Sequence, residues 1–235
     1  MRDVFLSPRL QAVADFVKQG EIVADIGTDH GYLPAYLIHN QISPFVYASD
    51  IRKGPLSAAK NTALSYNIRE GIQFILADGL EGIKPFSAQT ITIAGMGGET
   101  IASILEKAPW VRTPGIKLIL QPQTKVDDLS NWLDNNGFAI QDICLARDAG
   151  RIYVIMLAML GKTRAPFTCA EMFADRMLLE KRDPLLPAYL DHLIRITEKK
   201  VAGLKSAADP DPVELPRHQL ALKGFYRMKR ETELW

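Results

Sequence analysis

The chain has 235 residues, 47% of them hydrophobic, with 28 Lys and Arg against 27 Asp and Glu; this excludes a disordered chain and gives no electrostatic footprint for nucleic acid, although a basic patch can hide in a balanced total. Cys144 and Cys169 lie far apart and outside any Cys-x-x-Cys spacing, which suggests neither a disulfide framework nor a zinc site and fits a reducing, cytoplasmic setting. "MRDVFLSPRL" has no apolar signal core, the run from Ile152 to Leu160 is too short to span a bilayer, and His39, His192 and His218 have no partners at metal spacing, so neither membrane nor metal is expected.

In chain order, "SPRLQAVADFVKQG" predicts a short amphipathic helix, with Ser7 as cap, Pro8 at the first helical position, Leu10, Val13, Phe16 and Val17 at helical spacing and Gly20 closing the element. Five apolar runs then read as strands: "IVADI" (22–26), "FVYASD" (45–50), "IQFILAD" (72–78), "TITIAGMG" (90–97) and "KLILQP" (117–122). Tyr32 to His39, Pro55 to Asn67, Glu99 to Lys107 and Asp127 to Asn136 are helix-compatible crossovers. That alternation predicts a mostly parallel α/β sheet, and the runs are continuously apolar, as strands covered on both faces should be. "FAIQDICLAR" and "GRIYVIMLAML" follow each other with no helix between, so they are expected as an antiparallel pair at one edge, bringing the sheet to seven strands. "GKTRAP", 161 to 166, marks a domain boundary. Beyond it, Leu190, Leu193, Ile194, Thr197, Val201 and Leu204, then Ala221, Phe225 and Met228, predict two antiparallel helices, Tyr189 to Lys205 and Arg217 to Thr232, broken by "ADPDPVELP". The domains are accordingly 1–162 and 163–235.

In an open parallel sheet, ligands bind beyond the carboxyl ends of the strands. Here those ends carry Asp25-Ile26-Gly27-Thr28-Asp29-His30-Gly31, then Asp50, Asp78-Gly79, Gly95-Met96-Gly97-Gly98, and Gln121-Pro122-Gln123. Glycine lets the backbone turn through positive φ and come close to a ligand. Asp50 follows Gly27 by 23 residues, the distance at which an acid can accept from both hydroxyls of a ribose, and Asp78 could accept from an adenine amine. A dinucleotide would need Gly-x-Gly-x-x-Gly at a helix start, whereas this chain has Gly27-x-x-x-Gly31 with Asp25 and Asp29 in the turn. Those acids repel phosphate and suit the sulfonium and ammonium groups of S-adenosylmethionine.

"SPRLQAVADFV", "ADIGTDHGYLP", "ADGLEGI", "ITIAGMGGETIASIL" and "LILQPQTKVDDLSNWLDNNGF" together resemble the bacterial tRNA (adenine(22)-N(1))-methyltransferase family across most of residues 6 to 160. The resemblance implies a Rossmann-like class I methyltransferase fold with a small, coiled-coil-like helical C-terminal domain, S-adenosylmethionine as cofactor, and tRNA as substrate, methylated at N1 of adenine 22. Carried over by position, it implies cofactor contacts at Gly27, Asp29, His30, Asp50, Asp78, Gly79 and Gly95. Asp29 and Arg9 become the catalytic candidates, and Met96, Gly97, Gly98, Gln121 and Pro122 the substrate contacts. The family commonly has Asn where this chain has Gln123.

Structural alternatives stand beside these roles. Asp25 would orient its turn by accepting from backbone amides, His30 would pack at the next helix start, Arg9 would be a surface charge instead of a phosphate or base contact, Gly97 and Gly98 would let a helix approach, and Met96 would be core. Asp127 and Asp128 suit a helix N-terminus. The basic "RMKRE" run is either a solvated helix face or a phosphate contact. Two other functions also satisfy the residues: methyl transfer to a small molecule, and a non-catalytic module that binds S-adenosylmethionine or a nucleotide.

Overall fold

Strands and helices alternate along the first part of the chain as expected, and the computed structural model describes residues 3–161, 166–207 and 211–235. In order come α1 (Pro8–Ala14), β1 (Val23–Ile26), α2 (Tyr32–His39), β2 (Val46–Asp50), α3 (Lys53–Ser65), β3 (Ile72–Leu76), β4 (Thr90–Gly97), α4 (Gly98–Glu106), β5 (Lys117–Thr124), α5 (Val126–Asn135), β6 (Phe138–Asp148) and β7 (Arg151–Leu160). The seven strands form one sheet in the order β3-β2-β1-β4-β5-β7-β6. β1 pairs in parallel with β2 and β4, β2 with β3, and β4 with β5, while β7 runs antiparallel to β5. Order reverses between β1 and β4, which places the ligand crevice of such a sheet beside the β1 turn.

Burial explains the uninterrupted apolar runs. All four residues of β1 are buried, as are the first four of β4 and Leu118 to Pro122 of β5, so both faces of the central strands are covered. The edge strand β3 has no fully buried residue. β6 and β7 are joined by Ala149 and Gly150, both at positive φ (46° and 78°), the backbone of a two-residue hairpin whose twist matches its strands.

The first helix departs from expectation. It ends at Ala14 rather than reaching Gly20, Phe16 and Val17 continue as turns bonded back to Val13 and Ala14, and the Ser7 side chain makes no capping hydrogen bond. Pro8 alone fixes its start, since a proline in the first turn removes an amide that would have no partner anyway.

The chain divides into two compact units, Met1–Asp142 with Ala146–Thr163, and Ile143–Leu145 with Arg164–Trp235. The expected junction between residues 162 and 163, and the first part of the "ADPDPVELP" break, lie outside the described residues. The second unit contains α6 (Arg176–Glu180), α7 (Leu186–Ser206) and α8 (Glu214–Thr232). Lys229 near the end of α8 bonds Asp191 and the Pro187 carbonyl at the start of α7, and Lys200 near the end of α7 bonds Glu214 at the start of α8, so the pair is antiparallel. Leu190, Leu193, Thr197 and Val201 of α7 and His218, Ala221, Phe225 and Met228 of α8 are buried at helical spacing. Both helices begin three residues earlier than expected, because Pro187 and Pro216 sit in first turns, where proline is tolerated, instead of breaking the chain.

Candidate active site

The carboxyl ends of β1 to β5, with α1 and α4, enclose a cavity of about 760 Å³, all of it within the first unit. Of the residues expected at a site, Arg9, Gly27, Asp29, His30, Asp50, Asp78, Gly79, Gly95 and Met96 line it. Gly97, Gly98, Gln121 and Pro122 are not in its wall. Sequence reasoning did not find Tyr32, Arg52, Lys107 or the side of α4 that includes Thr100 and Ser103, all of which line it too. Lys107 lies 29 residues beyond its partner Asp78, and no local pattern announces a pairing over that distance.

The turn after β1 is held by Asp50. Its Oδ2 accepts from the Asp29 amide (3.3 Å), its Oδ1 from the Arg52 amide (2.9 Å), and the Arg52 side chain stands 3.8 Å from the same oxygen. The expected role of Asp25 as the amide acceptor therefore falls to Asp50. Asp25, 4% exposed, takes the Thr92 hydroxyl at 2.7 Å from the neighbouring β4. Burial pushes its carboxyl above the ordinary range, the Thr92 hydroxyl pulls it down, and the Asp50 charge adds to the rise. The Thr28 hydroxyl lies close enough to favour the ionised form, yet it is buried and makes no hydrogen bond of proper geometry among the described residues.

A raised folded-state value means that the folded protein holds this proton where the unfolded chain has lost it. The stability Asp25 contributes is complete below the ordinary carboxylate range and declines as pH rises through the folded value. Asp25→Asn keeps an acceptor for Thr92 and removes the buried charge. Urea unfolding of parent and variant from about pH 4 to about pH 8 is expected to show the variant gaining relative stability as pH rises. A difference that stays constant with pH would contradict this.

Asp29 sits at φ 50°, in the left-handed region that aspartate tolerates better than most residues. Its side chain is 63% exposed, with His30 Nε2 3.9 Å away. His30 stacks at 6.1 Å on Tyr32, the first residue of α2. Asp78 Oδ2 accepts from Lys107 Nζ at 2.8 Å, which leaves the other oxygen to a ligand. The Asp78 partnership holds the Lys107 ammonium above its ordinary value, with Glu81 assisting.

The "GMGG" segment is split in function. A Cβ on Gly27 would come within 2.2 Å of the Met96 Cε atom, so Met96 lies over the β1 turn as cavity wall and not in the core. Gly98 is a packing residue, because a Cβ there would stand 2.0 Å from the Lys125 carbonyl oxygen; one on Gly97 would press Thr124 Oγ1 at 3.2 Å. Gln121, expected at the substrate, lies behind the cavity wall and supports Arg9. Fully buried, it accepts from Arg9 Nη1 at 2.6 Å and donates to the Pro122 carbonyl at 3.0 Å. The Arg9 guanidinium carbon lies 5.7 Å from the Tyr153 ring centre, close enough for a cation–π contact, so Arg9 is fixed from two sides and is not a loose surface charge.

Four aspartates, Asp25, Asp29, Asp50 and Asp78, share this cavity with Arg9, Arg52 and Lys107. Two of the cations already pair with an aspartate, so the remaining acidity selects a cationic or hydroxyl-rich ligand. Among the described residues, no group of three or more His, Cys, Asp or Glu could hold a metal ion, and no helix is long and apolar enough to cross a membrane.

Comparison with known proteins agrees with this geometry. The family described as "Methyltransferase domain" matches residues 6–156. The tRNA (adenine(22)-N(1))-methyltransferase of Bacillus subtilis is 32% identical over 225 residues, which cover 94% of each chain. The crystal structure of the B. subtilis M1A22 tRNA methyltransferase superposes with a TM-score of 0.80 at 29% identity, covering 98% of each chain. An M. capricolum homologue in complex with S-adenosyl-homocysteine gives 0.77 at 26% identity, over 97% of this chain and 98% of that one. The chain belongs to the tRNA (adenine(22)-N(1))-methyltransferase family.

Proposed function

We propose that this protein methylates N1 of adenine 22 in bacterial tRNA in the cytoplasm, with residues 1–162 as the S-adenosylmethionine-binding catalytic domain and residues 163–235 as a helical domain that helps hold the RNA. The observation that carries the reading is the acidic, glycine-walled cavity at the switch point of the sheet, where a pyrophosphate-binding protein would present unopposed amides.

The residues fit the cofactor. An ionised carboxylate has about four acceptor positions; on Asp50 two are taken by the Asp29 and Arg52 amides, which leaves two for the ribose hydroxyls. The second oxygen of Asp78 is available to the adenine amine, and the buried Thr28 hydroxyl, without a well-formed hydrogen bond among the described residues, gains a partner from a polar ligand. Gly79 is required as glycine, since it has φ 55° and a Cβ would press Ile104 at 2.9 Å.

Bound there, S-adenosylmethionine supplies a sulfonium methyl that an unprotonated ring nitrogen can take in one displacement. The chain's own contribution is orientation and charge. Holding the acceptor nitrogen roughly 3 Å from the methyl carbon supplies most of the acceleration. Asp29, on an exposed turn, stabilises the positive charge that grows on the base, or accepts a proton from its exocyclic amine. Arg9 cannot accept a proton and would oppose a growing cation, so the role that suits it is a phosphate contact, and Gln121 and Tyr153 fix its guanidinium for that role. The target base is turned out of its stack to enter, at a cost of a few kcal/mol. In the helical unit, Lys205, Lys223 and Arg230 line one shallow groove with Tyr226, a surface suited to the RNA backbone.

Labelled S-adenosylmethionine with unmodified tRNA, followed by nucleoside analysis, tests the reading. Label in 1-methyladenosine at position 22 is expected. Turnover without RNA would point to a small-molecule substrate, and cofactor binding without turnover on any tRNA pool would point to a silent binding module.

A further inference from the structure

The pairing of β4 with β5 slips twice at the cavity. Ala94 pairs with Gln121, but Met96 pairs with Pro122 and Gly97 with Thr124. One residue on each strand, Gly95 on β4 and Gln123 on β5, is thus left without a partner. Such bulges bend a strand and re-aim a side chain, and they concentrate beside active sites. Gly95 adopts φ 88°, and a Cβ there would lie 3.6 Å from Gln123 Nε2 and 3.7 Å from Arg9 Nη1. The bare Gly95 backbone therefore lies beside a gap into which the Gln123 amide reaches. Gln123 lines the cavity, is exposed, and its side chain makes no hydrogen bond among the described residues.

The chemistry of the reaction restricts what such an amide can recognise. N1 of the target adenine must keep its lone pair, so its Watson–Crick edge cannot be used for tight pairing. The Hoogsteen edge, with N6–H as donor and N7 as acceptor, remains available. A glutamine amide, one acceptor and two N–H donors on a plane, is the complement of that edge. Guanine presents two acceptors there, O6 and N7, and leaves the glutamine oxygen unsatisfied.

We propose that Gln123 is the base-specificity residue, its Oε1 accepting from the Hoogsteen-side N6–H of the target adenine and its Nε2 donating to N7. The second N6 hydrogen, beside N1, is left to Asp29. This inference rests on the adenine-N1 reading above and names the contact by which that base is selected.

The test is a cycle between protein and substrate. Gln123→Met keeps the length and removes the amide, and a tRNA transcript with 7-deazaadenosine at position 22 removes N7. The parent is expected to lose about tenfold in kcat/KM on the 7-deaza tRNA, within the range of a bidentate base contact. Gln123→Met is expected to lose about tenfold on ordinary tRNA and nothing further on 7-deaza tRNA, because paired partners are non-additive. Its affinity for S-adenosylmethionine, measured by calorimetry, should stay within about twofold of the parent. A full 7-deaza penalty in the variant, a parent indifferent to N7, or a variant that loses cofactor affinity would each overturn the proposal. If the parent forms 1-methyladenosine but the two losses add, only the base contact fails. If it forms none while binding the cofactor, the functional reading fails with it.

Discussion

Asp29→Ala is expected to lower single-turnover methyl transfer to tRNA by about 100-fold or more, the scale of losing a positioned acid–base group, while leaving the fold intact. The fold should survive because the carboxylate is largely exposed and, among the described residues, His30 Nε2 at 3.9 Å is its one charged neighbour. The turn is held through the Asp29 amide on Asp50, which alanine preserves. Alanine at φ 50° costs about 1–2 kcal/mol in backbone energy. Asp29→Asn separates that effect from the loss of charge, because asparagine accepts the left-handed region and retains an acceptor. If charge stabilisation is the role, asparagine should be nearly as impaired as alanine. Methyl transfer within a factor of two of the parent in Asp29→Ala would remove this side chain from the mechanism.

Gly98→Ala should have the largest effect on stability. An added Cβ would meet the Lys125 carbonyl oxygen at 2.0 Å, its carbon at 2.9 Å and Leu129 Cβ at 3.1 Å. The first two are backbone atoms, and Lys125 is already held at φ 57° as the residue before α5. Neither side can yield by rotating a bond, so α4 and α5 must separate. Overpacking of this kind costs about 3 kcal/mol at the upper end of its usual range, which urea unfolding would read as a clear drop in midpoint. Gly95→Ala is the control. It meets nothing closer than 3.6 Å, so its penalty is limited to the positive φ, and its main effect should fall on turnover through the cavity. Equal midpoints for Gly98→Ala and the parent would show that the two helices do not pack as closely as the backbone requires.

The sequence by itself determined the elements and the edge on which the chemistry lies. Strand runs such as "IVADI" and "TITIAGMG" are apolar without interruption because both faces of the sheet are covered, and this period is local information. Glycine and aspartate at successive strand ends identify the ligand edge because a parallel sheet brings all those ends together. Helix starts were less legible at Pro187 and Pro216, since proline marks both a break and a first turn and only the finished packing separates the two.

The partner of each polar group was decided by the tertiary structure alone. Asp25 and Asp50 end neighbouring strands with the same residue type, and strand pairing gave one a hydroxyl from β4 and the other two amides. Gln121 went beneath Arg9, Lys107 came to Asp78, and Gly97 and Gly98 became packing positions while Gly95 stayed in the wall. The exposure of Gln123 depends on paired bulges in two strands 27 residues apart, a register fixed only when those strands meet. Periodicity and turn chemistry act over a few residues and are therefore written in the local sequence, whereas hydrogen-bond partners across a sheet are set by register and burial, which exist only once the chain has folded.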